Sequence, residues 1–338
     1  NPMNSLTWLS RHLKTNGGEI LTRIEFESDV TTDPEHGKRP HDRTVEELLG
    51  SGWFLIDKPP GPSSHQIAAW VRDMLKVDKI SHGGTLDPFA TGALTILTGG
   101  TTRLTDRILL GKKTYVAVLR IPAEVEEVAL EEAVSNLTGR IHNVPPKESA
   151  VKVRVRQRTI DEFTILDRDG RIVLARISCE AGTYVRTIAK DMGLLLDGPV
   201  ELVELRRNAS GTMDEEDAVT LQQLSDAIYL WREHGDDTAM AKILQPIESL
   251  LTGMPSLTVK DGAVAALTHG APLAKPGLVE MSSDLATGDE VAINSLKGEV
   301  VCIASMITDS ESIQKMNKGE VARPKVVLMG NETYPKRW

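Results

Sequence analysis

"ISHGGTLDPFATG", residues 80–92, lies between two stretches that read as regular structure and itself suits neither a helix nor a strand. It holds two adjacent glycines, an aspartate bonded to a proline, and a third glycine four residues after that proline. Asp before Pro is a common turn starter, and glycine reaches positive φ at little steric cost. The segment is therefore a loop that displays one carboxylate, Asp87. Four readings stand open for it: turn former, metal ligand, part of a phosphate cradle, or catalytic group.

The surrounding sequence weighs against two of them. The nearest approach to a phosphate-binding loop, "DRILLGKKT" (106–114), has Asp106 where the first glycine is needed and Lys113 where a hydroxyl should follow Lys112. No Gly-x-Gly-x-x-Gly follows a strand, so no nucleotide cofactor is expected. The eight histidines are scattered, without a His or Cys partner at the spacings metal sites use, and no metal is expected. Cys179 and Cys302 are too few and too far apart for a disulfide framework. The turn reading and the catalytic reading remain together, because a loop can expose a carboxylate that a helix or strand would hide.

Outward from the loop, "WFLID" (53–57) reads as a buried strand, followed by the turn-rich "KPPGPSS" and a helix that Ser64 can cap. Its Ile67, Val71, Met74 and Leu75 recur at helical spacing. "ALTILTGG" reads as a strand, "TRLTDRILL" as a helix, and "KTYVAVLRIP" as an alternating strand before a helix over about 129–138. "RIVLARISCEAGTYVRTIAKDMGLLL" (171–196) reads as strand, turn and helix, and "ELVELRRN" as a further strand. Upstream, Thr44 and Glu47 have capping-box spacing. The chain changes character near "TGMPSL" (252–257), after which short strands and turns follow, with a hairpin around Leu296-Lys297-Gly298. Without a strict βαβ rhythm, the mixture predicts an α+β fold rich in antiparallel pairing. The chain of 338 residues favours more than one domain. We expect an N-terminal extension over 1–49 that packs on the C-terminal domain, a domain over 50–252, and a β-rich domain over 253–338.

The net charge of −9 argues at first against nucleic acid. Binding depends on local charge, however, and here the charge is segregated. "EVEEVALEE" (124–132) and "DEED" (214–217) are acidic, whereas "VKVRVRQR" (151–158) alternates Val151, Val153 and Val155 with Lys152, Arg154 and Arg156. As a strand it would turn valines to one face and cations to the other, with Arg158 extending the basic face toward RNA phosphate. No apolar run approaches the roughly 18 residues that span a bilayer. The N-terminal residues lack the charged-then-apolar pattern of a secretory signal, so a cytoplasmic location is expected.

"DKPPGPSSHQIAAWV" followed by "KISHGGTLDPFATG" closely resembles the TruB and dyskerin-type pseudouridine synthases, whose Gly-x-Leu-Asp-Pro-x-Ala/Val-Thr-Gly loop is matched by Gly84 through Gly92. The likeness continues in the family's order through "GKKTYVAVLRI", "PPKESAVK", "EAGTYVRTIA" and "VELRRNASG", covering about residues 50–250. "DGAVAALTHGAPLAKPGLV" resembles the PUA RNA-binding domain of the dyskerin branch. The resemblance implies a pseudouridine synthase fold, a mixed and largely antiparallel sheet flanked by helices, with a small PUA domain.

It also implies chemistry. Such enzymes break the bond between uracil N1 and ribose, turn the base, and rejoin it through carbon, without a cofactor. Asp87 matches their nucleophile, and Arg186 the arginine that pairs with it, a neighbour that lowers a carboxylate pKa against burial. Tyr115 matches the tyrosine that stacks on the target base and is a candidate to remove the C5 proton. Tyr184 matches a second pocket tyrosine, and Leu205 the apolar residue closing the other side of the base. His82 matches a histidine that helps hold the rearranged RNA, and Lys58 lies in another family motif as a substrate-binding candidate. The dyskerin branch works in box H/ACA ribonucleoproteins with a guide RNA, a small zinc-binding protein, a glycine-arginine-related protein and a kink-turn-binding protein. The sequence ends at "YPKRW" without the lysine-rich tails of eukaryotic members, so the archaeal kind is expected, acting on rRNA and on the tRNA TΨC-loop uridine. A stand-alone tRNA synthase and a catalytically inactive RNA-binding scaffold are the alternatives.

Overall fold

A computed structural model describes residues 12–14, 20–146 and 153–335. The chain forms two compact units: Trp53–Leu244, and a second built from the residues up to Gly52 together with those from Gln245 onward.

The Trp53–Leu244 unit is organised on a mixed sheet. Across it lie Gly52–Lys58, Thr91–Thr98, Glu201–Ser210, Lys113–Arg120, Ile172–Cys179, Arg156–Asp169 and Gly139–Asn143. Neighbours along this path are antiparallel except Thr91–Thr98 with Glu201–Ser210, where Arg206 pairs with Thr91 and Arg207 with Gly92. Gly92 is required at that junction. Its φ is +99°, and a Cβ there would stand 2.3 Å from the Arg207 carbonyl oxygen. The Lys113–Arg120 strand shows the period of two that its sequence predicts, with Lys113, Tyr115, Ala117 and Leu119 buried. That face meets Val185, Ile188, Ala189 and Met192 of the Val185–Leu195 helix, together with Leu86 from the loop and Leu205 from its strand. Each such aliphatic side chain contributes about 1.5–3 kcal/mol on full burial.

Two local readings are corrected. The helix Ser64–Leu75 is capped by Ser63, which shares a capping box with Gln66, and Ser64 is buried instead. Within the described part of the basic stretch the strand starts at Arg156: residues 153–155 are unpaired, and Val153 and Val155 are 55% and 62% exposed. The neighbouring ladder ends at Asn143 opposite Arg156, and Pro145 and Pro146, which have no N–H to donate, follow at once. Residues 147–152, and with them Lys152 and Val151, lie outside the described residues.

The other unit has its own sheet, in which Ile20–Glu25 pairs with Leu278–Ser282, followed by Ser256–Val259, Glu290–Asn294, Val300–Met306 and Glu320–Val327. The expected hairpin is formed by Glu290–Asn294 and Val300–Met306. The segment before helix Val45–Gly50 is fastened to this sheet by the buried Glu299 and the half-buried Lys297. Glu299 accepts from the Lys38 amide (2.8 Å), Ser295 (2.8 Å) and Tyr334 (2.6 Å), while Lys297 donates to the carbonyls of Asp33, His36 and Gly37. Thr44 and Glu47 form the predicted capping box of helix Val45–Gly50. Among the described residues no helix is long and apolar enough to cross a membrane.

Candidate active site

The loop that carries Asp87 is caged from beneath by side chains that give up nearly all contact with water. Lys58, fully buried, donates from Nζ to the carbonyls of Pro59 (2.9 Å), Pro88 (3.1 Å) and Ala90 (2.8 Å). Ser64 accepts from the Leu86 amide at 2.8 Å and donates to the Leu86 carbonyl at 3.2 Å. The Gly61 amide donates to Pro88 O, and Ala90 N closes the turn onto Asp87 O. Arg207 donates to Gly84 O at 3.0 Å. A turn former would need no such support. Buried polar groups of this kind stay stable only when every partner is in place, so the cage fixes one loop geometry.

Asp87 turns its carboxylate away from the cage to Arg186. Arg186 Nη2 donates to Oδ1 at 2.8 Å, and both side chains are about 30% exposed. Arg186 stands in the first turn of Val185–Leu195, whose entry is set by Asn143: its side chain accepts from the Tyr184 amide (2.9 Å) and donates to the Tyr184 carbonyl (3.3 Å). Burial raises the Asp87 pKa above its ordinary 3.8, more than the charge and hydrogen bond of Arg186 and the charge of Lys58 pull it down. The arginine therefore moderates the effect of burial without overcoming it.

Tyr115 and Leu205 lie in the same buried cluster as Leu86, the residue before Asp87. Burial pushes the Tyr115 phenol up; Arg207 pulls it down, and the Asp87 charge adds to the rise. Tyr184 is half-buried, just before Arg186. His82 ends the short strand Ile80–His82, edge-on to His65 with ring centroids 4.8 Å apart. Burial, then the charges of His65 and Arg207, lower its pKa to about 4, and its buried Nδ1 has no hydrogen-bond partner. It is neutral at physiological pH.

Three expectations change on the structure. Lys58, expected to bind substrate, is fully buried with its amine on three loop carbonyls, and it holds the loop from inside. Arg158, expected on an RNA-facing surface, is engaged with the Gln157 carbonyl (3.0 Å) and Glu180 (3.3 Å) beside the turn that leads to Tyr184. Arg154 is exposed and Arg156 half-buried, but not as parts of a continuous basic strand face. Conversely, Ser64, Asn143 and Arg207 have site roles the sequence reading did not assign. Arg207 had a legible signal: with Leu205 inward, a period of two turns Arg207 inward as well.

Comparison with known proteins covers almost the whole chain. Family models match the N-terminal domain of TruB family pseudouridylate synthases over residues 72–185 and the tRNA pseudouridylate synthase B C-terminal domain over 186–252. They also match a DKCLD domain over 19–68 and a PUA domain over 255–328. A probable tRNA pseudouridine synthase B of Pyrobaculum calidifontis is 39% identical over 96% of this chain and 97% of its own. That of Methanothermobacter thermautotrophicus is 41% identical over 92% and 96%. Among solved structures, a chain of an H/ACA ribonucleoprotein bound to a substrate RNA containing 2'-deoxyuridine superposes with a TM-score of 0.84 at 35% identity, covering 94% of this chain and 97% of that one. A chain of a Cbf5–Nop10–Gar1 complex gives 0.83 at 36% identity, with coverage of 94% and 97%. With relatives near 40% identity along almost its whole length and a supported carboxylate at the family's loop, this chain belongs to the TruB family of pseudouridine synthases and acts on RNA.

Proposed function

We propose that the chain isomerises uridines chosen by a box H/ACA-type guide RNA, with Asp87 as the group that reacts with the target nucleotide. The observation that carries the assignment is the singly bonded carboxylate: Arg186 holds Oδ1, while Oδ2 takes no hydrogen bond among the described residues. A nucleophile needs one oxygen steered and the other free. Tyr115 and Leu205 supply an aromatic and an aliphatic surface from adjacent strands, suited to a base drawn out of its RNA context. Tyr115 is the candidate for removing the C5 proton, and Tyr184 and His82 for holding the nucleotide and its RNA.

Guide dependence is supported by the near full-length likeness to chains solved in H/ACA ribonucleoproteins, including one with Nop10 and Gar1. We infer partners of those kinds for this chain: a guide RNA, a small zinc-binding protein, a glycine-arginine-related protein and a kink-turn-binding protein, with rRNA as substrate. The names of the relatives favour a second activity on tRNA.

The test is direct. Asp87→Ala abolishes pseudouridine formation, mapped by primer extension, and leaves RNA affinity within about twofold; unchanged product rejects the assignment. Wild-type activity on a tRNA transcript and on an rRNA fragment, each with and without guide RNA and partner proteins, separates guided from stand-alone action. Conversion of the rRNA fragment without guide rejects the guided reading.

A further inference from the structure

Arg206 and Arg207 are neighbours in one strand with opposite fates. Arg206 is 39% exposed and forms an ordinary ion pair with Asp57, at 2.9 and 3.2 Å, and with Glu215. Arg207 points to the other face and is 1% exposed. Its hydrogen bonds go to neutral carbonyls, Ala93 O at 2.8 Å and Gly84 O at 3.0 Å. A guanidinium buried on such partners costs stability relative to an apolar side chain of the same shape, so its presence calls for a use other than packing.

Its partners bracket the catalytic loop. Gly84 opens the loop and Ala93 lies just after it, while the Arg207 backbone pairs with Gly92 between them. On the opposite side, Arg207 is the direct cross-strand partner of Tyr115 in the antiparallel pair, both side chains on the buried face. Cβ atoms so placed are roughly 5 Å apart. Lys113 shares that face, but its amine is spent on the carbonyls of Ile108 and Gly111. Arg207 is thus the cation that touches the loop from the strand beside Tyr115. A Cβ on Gly84 would stand 3.4 Å from Arg207 Nη1, which shows how closely the loop backbone rests on the guanidinium.

We propose that Arg207 is a positioning residue of the reaction: one guanidinium ties the Gly84 carbonyl of the Asp87 loop to the Tyr115 strand and sets where the phenol stands relative to the carboxylate. This rests on the reading of Asp87 and Tyr115 given above. A lysine at 207 keeps the charge but not the planar fork that reaches two carbonyls at once from the position opposite Tyr115.

The test uses the full chain with its guide RNA and partner proteins. Arg207→Lys lowers the single-turnover rate at saturating RNA by about 100-fold, the scale of an ångström-sized misplacement, while the RNA Kd stays within about twofold. The double variant Arg207→Lys, Tyr115→Phe is no slower than the slower single variant, because both break the same link. A rate within threefold of wild type, a loss confined to RNA affinity, or losses that multiply would each overturn the proposal. Hydrogen exchange on Tyr115→Phe asks the same question without altering Arg207. The amides of Leu86 and Ala90 exchange severalfold faster while the Ser64–Leu75 helix is unchanged; unchanged loop protection overturns the link even if the lysine variant fails to fold. An active Asp87→Ala would instead bring down the underlying reading, whatever Arg207 does.

Discussion

Asp87 is set between two opposed influences. Desolvation raises its pKa, and Arg186 and Lys58 lower it by less. In the proposed role Asp87 reacts in its ionised form, so the rate is gained as pH rises through the folded-state value, which lies above the ordinary 3.8. Arg186→Gln removes the larger of the two lowering influences. The acid limb of the single-turnover pH profile therefore moves to higher pH, and the rate at neutral pH falls. A limb that stays in place or moves lower would show that Arg186 does not set the ionisation of Asp87. Much of this pairing was legible, because Asp87 and Arg186 stand in two recognisable motifs. The direction of the pKa was not, since sequence shows a cation nearby but not how much water the fold removes.

The loop is an element that backbone propensity alone would leave loose, and buried polar side chains make it rigid. Ser64→Ala leaves the buried Leu86 amide without its acceptor and costs about 1–3 kcal/mol in a denaturation experiment. The loop also loosens, so activity falls further than RNA affinity. Gly92→Ala is a steric test of the parallel junction. With a φ of +99° and the Arg207 carbonyl 2.3 Å from the new Cβ, the strands must part, costing at least about 1–3 kcal/mol. A stable, active Gly92→Ala would show that the junction is not rigid. Strands and capped helices were legible from period and capping residues, as in Lys113–Arg120 and Val45–Gly50. The absence of a strand at 153–155, within the stretch where one was expected, was not. Alternation of valine and cation is a local signal, whereas a strand needs a partner, and the partner ladder stops where Pro145 and Pro146 begin. Lys58 stood out only through a family motif, as a substrate-binding candidate, and the three carbonyls that take its amine become visible only in the fold.

For the molecule as a whole, the question is how a chain of net charge −9 engages RNA. The described surface separates cations by whether they are already spent. Arg158 is committed to Glu180 and the backbone, whereas Arg154 is exposed just before the strand and Arg156 is half-buried at its start. Free cations release counterions from RNA, and each phosphate neutralised on a single strand contributes about 0.7 to the slope of log K against log salt. Replacing both Arg154 and Arg156 by Gln should weaken binding and flatten the slope by about 1–1.5, whatever the RNA sequence. Arg158→Gln should leave the slope nearly unchanged while lowering the single-turnover rate, because it loosens Glu180 and the turn that leads to Tyr184 and the helix bearing Arg186. Binding measured from low to moderate salt decides between them. Equal slopes for all variants would place the RNA elsewhere on the chain, whereas a flattened slope for the first pair alone would show that an acidic protein engages RNA through a few uncommitted cations.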